Sequence, residues 1–236
     1  SGNNDWSMAD NWADVSVPTS TSTVVFDATD AEGVSHVNAT FQGTIAGLTD
    51  TGQGAHILEL DRTLQVNGPV SILTGNTETT GSLSLVGGRL NLHLNSFDVG
   101  LNATGSGLAR GHLLLSDGAV IDAADVTEFS VGRVANVGWQ GKANGSLILS
   151  SNDTLNLGTL ATPATLNIGW DQCTGGDYQG NNGTVAKGLL DVSQGTFTAQ
   201  LSSLNVGLTT WRGIAEGTFL MGTGTNITTN TVNVGM

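Results

Sequence analysis

GSLILSSNDTLNLGTLATPATLNIG, residues 145–169, holds the pattern from which the fold is read. Its three short runs alternate apolar with polar residues, at Leu147/Leu149, Leu155/Leu157 and Leu166/Ile168. A period of two places each pair on one face of a strand. Gly145 opens the first run and Gly169 closes the third. The same order recurs before it as GSLSL…RLNL…SFDVG (81–100) and GHLLL…AVID…EFSVG (111–132). It recurs after it as GLLDV…TFTA…SLNVG (188–207) and GTFLM…NITT…TVNVG (217–235). Self-similarity at such a period predicts units that stack to share a core.

Strands of four or five residues bury little alone but can stack at the sheet spacing of about 4.8 Å. Upstream, the same alternation predicts a first rung of Val24–Phe26, His36–Phe41 and Thr44–Leu48. A second follows at His56–Leu60, Thr63–Val66 and Val70–Leu73. The expected fold is all-β, a right-handed parallel β-helix (β-solenoid) of about seven rungs of three short strands. Residues 1–23 are expected to form an N-terminal cap and 24–236 the β-helix, with the clear repeats over 81–235. A β-sandwich also shows many short strands but does not account for a recurring triplet with fixed turn residues. The polar residue between the last two apolar ones, Asp98, Ser130, Asn167, Asn205 and Asn233, reads as an outward-facing row. The glycine closing each third strand (Gly100, Gly132, Gly169, Gly207, Gly235) reads as a turn position needing positive φ.

Composition agrees with an ordered β chain. Of 236 residues 34 are Gly and only 11% are charged, while 38% are hydrophobic, too apolar for disorder. The net charge of −13 repels nucleic acid and anionic membranes, so no nucleic-acid partner is expected. No run approaches the roughly 18 apolar residues of a membrane helix, and no membrane insertion is expected. No signal-peptide pattern opens the sequence, so an exported protein would be seen in its mature form. Cys173 is the only cysteine, which excludes an intrachain disulfide.

The repeats resemble those of autotransporter passenger domains and related exported, surface-sorted bacterial proteins, in the pattern VG…G-T-L-x-V-x-x-G-x-L. The opening DWSMADNW…P (Asp5–Trp12, Pro18), followed by TIAGL (44–48), resembles the W-x-x-x-x-N-W…P opening of those proteins. That likeness implies a β-helix at the cell surface or outside the cell. It carries over no catalytic residue, because the repeat itself has none.

Trp6 and Trp12 are expected to cover the first rung, whereas nothing follows Thr231–Val234 to cover the last. Two accounts of that open end stand: a fragment of a longer chain, or head-to-tail self-association into a fibre by β-augmentation. Segments Leu101–Arg110, Arg133–Asn144, Trp170–Lys187 and Leu208–Glu216 read as loops inserted after each third strand, stacked along one edge. They hold Trp139, Trp170, Tyr178 and Trp211, with Arg110, Arg133, Lys142, Lys187 and Arg212. Aromatic rings stack on sugar faces and Arg forks bind carboxylates or sulfates, so this edge is the candidate glycan-binding surface. The competing reading is that the rings pack the loops and the cations offset an acidic chain. Sequons at Asn38, Asn102, Asn144, Asn152, Asn182 and Asn226 are candidate glycosylation sites.

For catalysis, Asp117, Asp122, Asp125, Glu128 and Asp191 are the acidic candidates, and Asp27, Asp30 and Glu32 could face a calcium ion. The latter miss the usual loop spacing, and His36, His56, His93 and His112 lack metal-ligand spacing. No GxSxG, HExxH, P-loop or dinucleotide fingerprint occurs, and no cofactor or metal is expected. An ice-binding threonine ladder is disfavoured, because Thr196, Thr198, Thr229 and Thr231 do not extend into the third, fourth or fifth units. The sequence therefore favours a non-enzymatic extracellular or cell-surface scaffold: an adhesin, surface-layer or fibre subunit. The alternative is a carbohydrate-active β-helix enzyme, a polysaccharide lyase or hydrolase.

Overall fold

The computed structural model describes residues 4–26, 33–51, 54–74, 79–103, 107–135, 141–173, 183–210 and 213–235, with the side chains of 73–74 and 79–81 excepted. A short 3-10 turn at Ala9–Asn11 precedes the strands. The first strands are β1 (Thr23–Phe26), β2 (Gly33–Val37), β3 (Thr44–Ile45) and β4 (Gly47–Asp50). Next come β5 (Ala55–Leu60), β6 (Thr63–Val66) and β7 (Val70–Thr74), then β8 (Thr79–Val86), β9 (Arg89–Leu92) and β10 (Ser96–Asn102). The middle units give β11 (Gly107–Ser116), β12 (Val120–Ala123) and β13 (Glu128–Val134), then β14 (Gly141–Leu149), β15 (Thr154–Leu157) and β16 (Ala164–Asp171). The last units give β17 (Val185–Val192) and β18 (Thr196–Thr209), then β19 (Ile214–Met221), β20 (Thr225–Thr229) and β21 (Val232–Val234).

All-β structure with parallel pairing is borne out. The expected β-helix with three short strands per rung is corrected. The strands form two parallel sheets: fourteen strands in order β1-β4-β7-β10-β13-β16-β18-β15-β12-β9-β6-β3, with β20 and β21 also on β18, and seven in order β19-β17-β14-β11-β8-β5-β2. The larger sheet turns back through β18 into a nearly closed, barrel-like wall, and the whole is consistent with a parallel β-barrel. The cause is local to the sixth unit. Between TFTA and SLNVG the sequence is only QLS, with no Gly or Pro, so β18 continues for 14 residues where the fifth unit breaks at LGTLATP. Its first half pairs with β15 and its second with β16, which joins two ladders into one sheet.

Register is kept from unit to unit, so identical positions stack. Leu64, Leu90, Ile121, Leu155 and Phe197 form one such column, and none is more than 2% exposed. Phe97 and Phe129 stack edge to face at 4.9 Å in another. Each fully buried side chain of this size contributes about 1.5–3 kcal/mol. The N-terminal layer is closed as well. Trp6 is buried at 1% exposure and meets Trp12 and Phe41 edge-on, each at 5.3 Å.

Two rows of glycine let the sheets touch backbone to backbone. Gly132 has φ +73°, and a Cβ there would also run into the carbonyl of Lys187. Gly188, without positive φ, needs to be Gly for a different reason. A Cβ would sit 2.2 Å from the Val131 carbonyl oxygen and 2.3 Å from the Gly169 nitrogen. Past this crossing the ends of the expected loops are strand: β10, β13, β16 and β18 run on beyond their glycines, and β11, β14 and β17 begin before theirs. A second, small core of Val134, Ala143 and Ala186 lies there.

The expected outward row is also corrected. Asp98, Ser130, Asn167 and Asn205 are buried, at 0–7% exposure. Strand continuation past the glycines explains this, because it places side chains such as Arg133 beside the row. Asn233 Nδ2 donates to Asn205 Oδ1 at 2.7 Å, and Asn205 Nδ2 to Asn167 Oδ1 at 2.7 Å. Asn167 Nδ2 continues to Ser130 Oγ at 3.4 Å. The row is an interior hydrogen-bonded ladder across the layers.

Candidate functional site

A polar cluster lies where the ladder reaches Asp98. Arg133, on β13, donates through Nη1 to Asp98 Oδ1 at 3.3 Å and also to Glu128. Its Nε and Nη2 donate to Gln172 Oε1 at 3.2 and 2.8 Å. The guanidinium sits 4.7 Å from the Trp170 ring centroid, a cation–π arrangement. Strand register dictates this meeting, since Arg133 pairs directly with Trp170 on β16. Burial raises the Asp98 carboxyl above its ordinary range, against the opposing charge and hydrogen bond of Arg133.

Of the candidate glycan contacts, Trp170 therefore has Arg133 on its ring. Arg110, Asn144, Lys187 and Glu216 form one row on the seven-strand sheet, and Lys187 Nζ pairs with Glu216 at 2.6 Å. Lys142 is exposed one row away, beside Leu108 and Val185. The structure thus joins Trp170 with Arg133 on one sheet and sets Arg110, Lys142 and Lys187 on the other. Trp139, Tyr178, Trp211 and Arg212 lie outside the described residues, as do Asp27, Asp30, Glu32 and Asn182.

Three of the acidic candidates, Asp122, Asp125 and Glu128, pair with basic side chains. Asp122 pairs with Arg89 at 2.8 Å and Asp125 with His93 at 2.6 Å. Glu128 belongs to Arg133, and Asp191 Oδ1 accepts from its neighbour Ser193 N at 3.0 Å. Asp117 occupies a left-handed turn position at φ 58°. Among the described residues no three His, Cys, Asp or Glu side chains could hold a metal ion. Among the sequons, Asn102 is fully buried and donates to the Gly107 and Lys142 carbonyls, each at 3.0 Å. Asn152 and Asn226 are exposed, whereas Asn38 and Asn144 are half-buried. Cys173 is buried.

Sequence reading missed several pairings. His36 lies between Asp5 at 2.8 Å and Asp61 at 2.9 Å, and buried His56 meets buried Asp50 at 3.1 Å. Buried Asp153 accepts from the backbone of Gly118, Ala119 and Ser150 at 3.1, 3.0 and 2.7 Å, binding one layer to the next. The SSND turn that precedes its strand was the available signal. Comparison with protein-family models, curated proteins and solved structures returns no match.

Proposed function

We propose that this chain is a non-enzymatic scaffold of the cell surface or extracellular space, an adhesin, surface-layer or fibre subunit. The observation that carries the reading is the ladder from Asn233 to Ser130, which Arg133 and Asp98 extend. The polar residues that repeat are used to hold layer to layer, and acidic candidates are engaged by basic side chains: Asp122 by Arg89, Asp125 by His93, and Glu128 together with Asp98 by Arg133. Catalysis by paired carboxylates needs two such groups facing one substrate bond. Two partner classes suit the surface: an acidic glycan over exposed Lys142 and its neighbour Arg110, and other copies of the chain. The resemblance to exported surface proteins supports the same location.

The test is incubation with a panel of neutral and acidic polysaccharides, read by new reducing ends and by unsaturated-uronide absorbance. No product is expected, with or without binding on a glycan array. Product release above a heat-denatured control would overturn the scaffold reading in favour of a lyase or hydrolase.

A further inference from the structure

Residues 4–6 run as a strap along the outer edge of β2. Trp6 N donates to His36 O at 2.9 Å and His36 N to Asn4 O at 3.0 Å, and Asn38 Nδ2 adds a bond to Ser7 Oγ at 2.8 Å. The chain that follows braces the strap from within. Asn11 Nδ2 donates to Asp5 O at 2.8 Å and Trp12 Nε1 to Trp6 O at 3.1 Å. Residues 4–12 are therefore tied to one another as well as to the first layer, where Trp6 lies edge-on to Phe41.

The ionic tie between strap and body is His36. Its Nδ1 meets Asp5 Oδ1 at 2.8 Å and its Nε2 meets Asp61 Oδ2 at 2.9 Å. An ionised carboxylate only accepts, and a neutral imidazole has a single N–H, so it can donate to one of the two but not to both. The pair of contacts belongs to the imidazolium. Other charges about the ring are acidic or turned elsewhere. Glu59 pairs with His36 in register on β5, while Arg62, next after Asp61, gives its guanidinium to the Ala39 and Phe41 carbonyls. A neutral ring would leave Asp5 of the strap facing Asp61 and Glu59 of the body with no cation between them. Burial of the ring opposes its charge, but the two carboxylates outweigh it and hold the His36 pKa above its ordinary value. Docking also carries a cost of its own. The Trp6 indole Nε1 is buried without an acceptor among the described residues, and undocking returns it to water.

We infer that residues 4–12 are a proton-controlled strap, docked on β2 while His36 is an imidazolium and loosened when the ring gives up its proton. The sense follows from linkage. A histidine raised in the folded state contributes stability that is complete below about pH 6.5 and is lost as pH rises through the folded-state value. The strap is thus fastened in acid and loosens in alkali. Loosening bares the outer edge of β2 and lifts Trp6 from Phe41, and it leaves the stack intact, because β2 still pairs with β5 along Gly33–Val37. The device is independent of whether the chain is a scaffold or an enzyme.

Native-state hydrogen exchange from about pH 5 to about pH 9 tests this, read as protection factors so that the intrinsic pH dependence of exchange is removed. The Trp6 and His36 amides both lie in strap–β2 hydrogen bonds. Their protection is expected to fall at least about fivefold across that range, the scale on which a hydrogen bond weakens when it loses its charge. The Val131 amide, in the fully buried middle of the stack, is expected to keep its protection. Asp61→Asn, at a side chain 56% exposed, leaves the fold undisturbed and is expected to move the fall to lower pH, because one carboxylate no longer favours the imidazolium. Asp5→Asn is expected to flatten it, because the strap then brings no charge to the ring. Constant protection at Trp6 and His36, a fall shared by Val131, an unmoved fall in Asp61→Asn, or a fall in Asp5→Asn equal to the parent's would each overturn the inference.

Discussion

Gly188→Ala is the sharpest perturbation available, because it adds one methyl group where two sheets meet backbone to backbone. The new Cβ would lie 2.2 Å from Val131 O, 2.3 Å from Gly169 N and 2.9 Å from the Ile168 carbonyl carbon. Backbone atoms held in a ladder cannot rotate aside as a flexible side chain can. Overpacking a filled interior costs about 1–3 kcal/mol, occasionally more. Three backbone contacts below 3.0 Å place this site at or above the top of that range, about 3–4 kcal/mol. Gly118→Ala is the matched control: its φ is +78° with nothing within 4 Å of the added Cβ. It should therefore cost only the left-handed backbone term, about 1–2 kcal/mol. The assay is urea denaturation followed by circular dichroism, comparing midpoints at constant m-value. Gly188→Ala is expected to lose at least about 1 kcal/mol more than Gly118→Ala, within the scale of such overpacking penalties. Equal losses at the two sites would refute the close crossing of the sheets.

Three further outcomes follow from the polar network. Arg133→Gln removes the cation beside buried Asp98 and is expected to cost about 3 kcal/mol at neutral pH, the scale for breaking a buried pair. The loss should shrink as acid protonates Asp98, so denaturation midpoints of parent and variant converge at low pH. Asp153→Ala removes an acceptor from three backbone N–H groups in two layers, of which Ala119 keeps Ser116 O and Ser150 keeps Leu115 O, and is expected to cost about 1–3 kcal/mol by the same denaturation assay. For His36, burial lowers the pKa, but the Asp5 hydrogen bond and the charge and hydrogen bond of Asp61 outweigh it and hold the pKa above its ordinary value. The folded state thus gains stability that is complete below about pH 6.5 and is lost as pH rises through the folded-state pKa. Hydrogen-exchange protection of the Trp6 amide should fall across that rise in the parent and not in His36→Asn.

The repeat made strands and registers legible, because apolar alternation reports directly which side chains can stack. Joining of two ladders into one sheet was not legible in the same way, since it depends on the three residues QLS (200–202) failing to break β18. The polar row misled for a physical reason. Alternation places Asn167 opposite Leu166 and Ile168, but it cannot show that β16 continues past Gly169 to put Trp170 nearby. In the sequence Arg133 and Trp170 stand only as members of the segments rich in aromatic and basic residues. Only the register shows that they meet each other, with Asp98 as the third member. The first-strand glycines looked like unit boundaries, whereas their role is to let one backbone pass against another.

The central claim is that the repeated polar positions hold the layers together from inside. A double-mutant cycle on Asn167→Ala and Asn205→Ala tests it most directly, through the buried Nδ2–Oδ1 contact of 2.7 Å between them. Each single variant leaves a buried partner unpaired, at about 1–3 kcal/mol, and the second removes the group that the first left stranded. The expected result is a coupling of about 1–2 kcal/mol between the two sites, the range found for residues in one hydrogen-bond network. Losses that add to within about 0.3 kcal/mol, as for residues with no shared contact, would contradict the account.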